Sequence, residues 1–299
     1  GRDAVIFSRR VPVCTDLLTM GDGAVIHKDS FFSCYRAQRG LIQPGRVTLG
    51  NDVVVGEATV LDIETSMGDG AQLGHASSLH AGQSVPGGER RHGFSAQERT
   101  EVDYRGADPL GCGTLRKVVY PVVQVLGILA LRLPLAVGGV ALMIAVVPEL
   151  AALRESGALA FTSWSFYGEA LAVSFALFFG SLLVGLLLVV TVPRVLNLFI
   201  EPDRAYRLYG FHYAVHRAIE RITNVAFFPR LLGDSSYIVP YLRWLGYNLS
   251  AVEQTGSNFG LEVKHENPFL CTVGSGTMVA DGLSMVNADF SSTSFRVSL

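Results

Sequence analysis

The stretch LGNDVVVGEATVLDIETSMGDGAQLGHASSLHAGQSVP, residues 49–86, decides the fold. Within it an apolar residue recurs every six positions, at Leu49, Val55, Leu61, Met67, Leu73, Leu79 and Val85. A small or turn-forming residue often follows it, as at Gly50, Gly56, Gly68, Gly74 and Pro86. A period of six is neither the 3.6 of an amphipathic helix nor the 2.0 of a long strand. It is the length of one flat strand plus a corner, and three such units close a triangular coil whose apolar side chain stacks on the coil above. The residue after each apolar position is expected at the corner, where the backbone turns tightly. An earlier run, Met20, Ile26 and Phe32, carries Gly21 and His27 after its first two members and then loses register before Leu49. That slip implies a loop inserted around 38–44. Gly21, Gly23, Gly68 and Gly70 look superficially like pieces of a nucleotide loop, and the hexad register accounts for them better.

The pattern starts again near the C-terminus, where Val273, Val279 and Met285 are six apart. Thr272-Val273-Gly274-Ser275-Gly276 echoes Thr19-Met20-Gly21-Asp22-Gly23 at a spacing of 253, and Arg296-Val297-Ser298-Leu299 echoes Arg46-Val47-Thr48-Leu49 at 250. The two spacings imply a short insertion or deletion between the copies. A repeat of about 250 residues is far longer than a solenoid period and marks a duplicated module. The chain opens on Gly1 and stops inside an unfinished repeat, so it reads as an excerpt of a longer polypeptide.

Composition points to lipid. With 49% hydrophobic and 17% charged residues among 299, and a mean hydropathy of +0.35, the chain is too apolar for an ordinary soluble enzyme. Its net charge of -2 offers no basic surplus for a polyanion, which argues against nucleic acid as a partner. Cys14, Cys34, Cys112 and Cys271 form no CxxC pair and no metal-ligand spacing, and read as reduced thiols.

Residues 170–192 carry no charge, enough for roughly 34 Å of helix and so for one membrane span. Residues 118–147 carry one charge, Arg132, with Pro134 close behind it. A span at 126–147 lets Arg132 snorkel to the headgroups, the alternative being a buried partner such as Glu169. Arg116 and Lys117 precede the first span and Arg194, Arg204, Arg207, Arg217 and Arg221 follow the second, whereas 148–168 balances Arg154 against Glu149 and Glu155. The loop is therefore expected outside and the β-helix segments on the cytoplasmic side of a multi-pass plasma-membrane protein. Aromatic, aliphatic and basic residues at helical spacings over 203–227 suggest a helix in the membrane interface, or one packed on the protein. A short helix at 240–246 should stop at Gly246.

The expected fold class is thus hexapeptide-repeat parallel β-helix segments flanking a two-helix transmembrane hairpin. It divides into a β-helix at 1–97, a linker at 98–117, two spans at 118–192, an amphipathic helix and linker at 193–245, and the start of a second β-helix at 246–299.

Two resemblances sharpen this reading. Residues 84–96, with Val85-Pro86 and Ser95-Ala96, resemble the Val-Pro…Gly-x-Pro-Ala tail that closes left-handed parallel β-helix acyltransferases, Ser95 standing where that tail has Pro. The order of incomplete β-helix, two spans, amphipathic helix and second β-helix resembles the C-terminal membrane region of ε-poly-lysine-synthetase-like nonribosomal peptide synthetases. The motifs that carry this second resemblance are 253–260 (EQTGSNFG) and 276–284 (GTMVADGLS). It implies acyltransferase-related tandem domains, and amide-bond formation between an aminoacyl thioester and a free amine. The thioester would ride on the phosphopantetheine arm of a carrier domain. Carrier and adenylation domains and the lipid bilayer are the implied partners, with self-association left open.

An amine nucleophile is protonated near pH 7 and must lose a proton to a base before or during attack. His80 is the first candidate, because it follows Leu79 where four of its six counterparts are Gly. His27 holds the equivalent place in the earlier run, and His92 lies in the closing tail. His75 reads as an outward coil residue. His265, Asp281 and Asp289 are the polar residues best placed to bind substrate in the second module. The plain alternative for each histidine is a solvated surface residue, and for Asp281 a turn-stabilising role. No metal site is expected. The competing function is a non-catalytic membrane scaffold or export component. The scarcity of polar residues near the spans, Gln124, Arg132 and Ser174, favours anchoring over transport.

Overall fold

The computed structural model describes residues 1–8, 14–96, 98–146, 164–233, 235–249, 254–255, 263–279 and 284–298. Most of the loop 148–168, most of the 253–260 motif and Asp281 lie outside the described residues. Two compact units are present, the first comprising Gly1–Cys112, Pro202–Leu208 and Ala288–Ser298.

The first unit is a three-sided parallel β-helix. Val47 pairs with Thr65, Val54 with Gln72 and Val60 with Ser78, so each strand lies on the one three hexads later and three hexads make one coil. Leu18, Val25 and Phe31 pair with Val47, Val54 and Val60, a longer step than one coil requires. The surplus chain holds the antiparallel hairpin of Tyr35–Gln38 and Leu41–Pro44, the insertion that the register slip implies. Val55, Leu61, Met67, Leu73, Leu79 and Val85 are all 2% exposed or less and stack into one core. Burying each is worth about 1.5–3 kcal/mol. Arg90–His92 is the last strand of its parallel sheet, and the antiparallel strand Glu98–Arg99 ends the stacking there.

The corners fall elsewhere than expected. Positive φ occurs at Asp52, Ala58, Glu64, Gly70, Ala76, Gly82 and Gly88, again every six residues but three places after the apolar position. The glycine directly after the apolar residue serves close approach instead. A Cβ on Gly56 would come within 2.7 Å of the Gly74 carbonyl carbon, and one on Gly68 within 2.5 Å of the Gly87 nitrogen. Beside these glycines an Asx ladder ties coil to coil: the Asp22 N–H donates to Asn51 Oδ1 at 2.8 Å and the Asn51 N–H to Asp69 Oδ1 at 2.7 Å.

Chain elements recur at a constant spacing, that from Thr19 to Thr272. The 3-10 turns Thr15–Leu17 and Pro268–Leu270 correspond, as do the strands Val25–Ile26 and Met278–Val279, and Phe31–Phe32 and Ser284–Met285. The hairpins correspond too. Ala37 pairs with Ile42 in the first, and Phe290 with Phe295 in the hairpin of Ala288–Phe290 and Ser294–Val297. The register therefore continues without insertion, Arg296 answers to Gln43, and the likeness of 296–299 to Arg46-Val47-Thr48-Leu49 is a coincidence of sequence. Residues 288–298, expected as further hexads, instead form an antiparallel sheet with Ala205–Arg207 in the first unit.

The second unit holds the helices. Thr114–Gly139 and Ala170–Asn197 are long and apolar enough to cross a membrane. Leu131, Leu135, Phe175 and Leu187 on them are at least 60% exposed. The first apolar segment begins at Thr114, well ahead of the expected 126–147. A π-helical turn, Ile128–Arg132, precedes Pro134, which has no N–H to donate and whose ring would crowd the preceding turn. Arg132 is exposed on this turn. The amphipathic segment expected over 203–227 is a strand followed by the helix Phe211–Thr223. That helix packs against Trp164–Asn197 and buries Tyr213, Val215, His216 and Ile219 in protein, the second of the two readings of its pattern. Ile238–Leu245 ends at Gly246, φ 128°, as expected. Asn248–Leu249 with Thr272–Val273, and Lys264–His265 with Ser284–Met285, are parallel pairs.

The two small-residue roles are separable by mutation. Gly68→Ala should destabilise the first unit by about 1–3 kcal/mol, because its Cβ meets backbone that cannot swing aside. Ala76→Gly, at φ 51°, should instead stabilise it by up to about 1 kcal/mol. Thermal unfolding followed by circular dichroism reads both, and equal signs would refute the assignment of corners.

Candidate functional site at a coil edge

The edge that follows the sheet of Val25–Ile26, Val54–Val55, Gln72–Leu73 and Arg90–His92 carries His27, Gly56, Gly74 and His92 on successive coils. One residue further on stand Lys28, Glu57, His75 and Gly93. Gly56 has no side chain between them, and the imidazoles of His27 and His75 meet edge to face with centroids 6.1 Å apart.

His75 is held from two sides. The Glu57 N–H donates to its Nδ1 at 3.0 Å, so the neutral ring carries its proton on Nε2. Tyr104 lies edge-on at 5.7 Å, its phenol filling the space over Gly74. Buried Gln72 fixes this segment by accepting the Tyr104 N–H at 2.7 Å and donating to Asp103 at 2.9 Å.

His27 is 3% exposed, and among the described residues its Nε2 has no hydrogen-bond partner. Phe7 and Phe290 flank it at 6.3 Å, and the Lys28 ammonium lies 5.6 Å from the Phe290 ring centre. Burial, helped by the charges of His75 and Lys28, pushes the His27 pKa down to about 4, so the ring is neutral at pH 7. Burial also lowers His75, while the Asp289 carboxylate opposes that shift. Asp289 is ion-paired to Arg296 at 3.2 Å and seated so closely on Gly106 that any Cβ there would strike it.

The expected site residues are thus partly brought together. His27 and Asp289 share one neighbourhood through His75. His92 lies on the same edge as His27 but three coils away, about 14 Å at the usual strand spacing. It faces Glu98 at 3.8 Å. His80 stands at a different edge, exposed, with its N–H on Gln83 Oε1 at 2.7 Å and its ring 5.4 Å from Phe94. His265 is buried in the second unit edge-on to Tyr247 at 5.3 Å, its pKa lowered to about 4 by burial, and Asn224 clasps its backbone N–H and C=O. Asp281 lies outside the described residues.

Sequence reasoning ranked His75 below the other coil histidines, as an outward coil residue, and passed over Tyr104, Gln72 and Phe290. The lengthened step across the hairpin conceals that His75 sits one coil beyond Glu57 and two beyond Lys28. Among the described residues no group of three or more His, Cys, Asp or Glu is arranged to hold a metal ion. The four cysteines are free thiols.

No family model matches the sequence, and no curated protein matches it. Among solved structures the chain is similar to a hexapeptide-repeat acetyltransferase from Vibrio cholerae, at 18% identity and a TM-score of 0.26, over 28% of this chain and 50% of that one. It is similar to an N-acyltransferase from Bacillus cereus, in complex with dTDP-4-amino-4,6-dideoxyglucose and coenzyme A, at 12% and 0.26, over 36% and 59%. A hexapeptide transferase family protein from Anaplasma phagocytophilum matches at 22% and 0.21, over 34% and 54%. The chain spans about half the length of these proteins, and the β-helix assignment rests on the three-hexad register itself.

A neutral His27 in the fold has a pH signature. The unfolded ring titrates at 6.5 and the folded one at about 4, so between these values the unfolded chain binds the extra proton and stability falls as pH falls. The loss reaches about 3 kcal/mol by pH 4. Thermal unfolding of His27→Gln should lose part of this pH slope. An unchanged slope would show that His27 is not held neutral.

Proposed function

We propose that this chain is a membrane-anchored acyl or aminoacyl transferase module of a nonribosomal peptide synthetase. It would join a carrier-bound aminoacyl thioester to an amine at the His27–His75 edge. The observation that carries the proposal is a buried neutral imidazole, its Nε2 without a partner among the described residues, beside a second imidazole of defined tautomer. A proton acceptor and an N–H donor side by side are what acyl transfer to an amine requires.

In this reading the amine nitrogen attacks the thioester carbon and the new C–N bond forms. Once the covering Phe290 ring moves aside, the amine proton passes to His27 Nε2, while the His75 Nε2–H donates to the carbonyl oxygen as negative charge grows there. The C–S bond then breaks and His27 returns the proton to the departing thiolate. Asp289, opposite in charge to an ammonium group and 39% exposed, is suited to hold the incoming amine. The pantetheine thiol is part of the acyl donor, so no resident cofactor is invoked. The helices Thr114–Gly139 and Ala170–Asn197 would anchor the module, with flanking positive charge setting the β-helix on the cytoplasmic side of the plasma membrane. Carrier and adenylation domains would be its working partners.

The test is product formation from a preloaded carrier at saturating acceptor amine. His27→Ala should cost about 10²- to 10⁴-fold in rate and His75→Ala about 10²- to 10³-fold. His80→Ala should stay near wild type. Loss confined to His80→Ala would move the site to the other edge. Full activity in all three variants would favour the non-catalytic scaffold.

A further inference from the structure

The two hairpins related by the long repeat share one register but differ in surroundings. In the second, Phe295, Ser294 and Ala288 are 0%, 0% and 2% exposed. Phe290 lies against Phe7 at 4.4 Å and near His27, Phe295 stacks on Phe290 and faces Tyr206 at 5.7 Å, and Ala205–Arg207 adds a third strand along Ser294–Arg296. This hairpin is seated on the β-helix edge. The corresponding residues of the first hairpin, Ile42, Leu41 and Tyr35, are 73%, 74% and 40% exposed. Among the described residues its two strands pair only with each other, and the outer edge of Leu41–Pro44 has no third strand.

An exposed pair of large aliphatic side chains on an open strand edge is costly in water and invites pairing. We infer that the Tyr35–Pro44 hairpin is a docking arm that seats on the edge of another parallel β-helix module, as Ala288–Val297 seats on the edge carrying His27 and His75. The partner's chemistry follows from the seated copy. It offers a coil edge with an apolar shelf for Ile42, as Tyr206 and Phe290 flank Phe295, and an antiparallel strand for Leu41–Pro44. A second copy of this chain fits less well, because its own edge is already covered by Ala288–Val297. The inference stands on the repeat geometry and is independent of the acyl-transfer reading.

The test places the photo-crosslinker p-benzoylphenylalanine at position 42 of the full polypeptide in membranes, with the crosslinked peptides sequenced. The expected adduct is to a hexad-repeat segment other than residues 1–97 of the same chain, or to a strand paired along its edge as Ala205–Arg207 is here. Leu41→Asp with Ile42→Asp should abolish pairing at the site, read by a crosslinker at position 35, while leaving the unfolding temperature within about 2 °C, since both residues are exposed. Phe295→Asp, by contrast, should unfold the first unit. Adducts only to lipid, to the first β-helix itself, or to a segment that neither carries the hexad register nor pairs along such an edge as Ala205–Arg207 does would overturn the inference. So would a large loss of stability in the Leu41→Asp, Ile42→Asp variant.

Discussion

Coil-on-coil contact at a step of three hexads governs the first unit. Parallel strands one coil apart lie about 4.8 Å from each other, so whatever occupies one hexad position must tolerate its counterpart directly above and below. Three demands follow, and each selects a residue type. The inward position must be apolar, the place beside it must be small where neighbouring backbones close in, and the third place must accept a left-handed backbone. Asp52, Ala58, Glu64 and Ala76 meet the last demand without being glycine. Non-glycine residues there carry a cost of about 1–2 kcal/mol each, offset by the stacked core and the Asx ladder.

The candidate site is a by-product of the same rule. Because Gly56 must lack a side chain to let Gly74 approach, it leaves open the position between His27 and His75, and two imidazoles come into contact across it. Burial then makes His27 neutral, and a backbone N–H orients His75. Phe290 and Asp289, from the far end of the chain, complete the surroundings. A solenoid is built from local steps, yet this edge is finished by a distant hairpin. That combination explains why a chain with so regular a repeat still creates one distinctive place on its surface.

The helical unit follows a different pattern. Its long helices turn Leu, Val and Phe outward, the arrangement that hydrocarbon favours and water penalises, and a π-helical turn lies just before Pro134, which lacks a donor. The helix Phe211–Thr223 shows how amphipathic pattern alone underdetermines location. The same apolar stripe suits a bilayer interface or a neighbouring helix, and here it faces Trp164–Asn197.

Periodicity was enough to determine the β-helix, the buried identity of every sixth residue from Val55 to Val85 and an insertion before Leu49, and uncharged apolar length the two helices, because each follows from near neighbours in the chain. It also revealed the long repeat. It misplaced the corners by two residues, since an apolar period of six has no phase marker for φ and glycine serves both turning and close approach. It favoured His80, whose edge the structure leaves in solvent, over His75, because the inserted hairpin breaks the numerical relation between coils. Which side chains share an edge, which imidazole loses its charge, and that Asp289 and Phe290 close on His27 were decided by the tertiary structure alone. Those facts depend on strand register across an insertion and on burial by a segment far away in sequence, and neither quantity is written in local pattern.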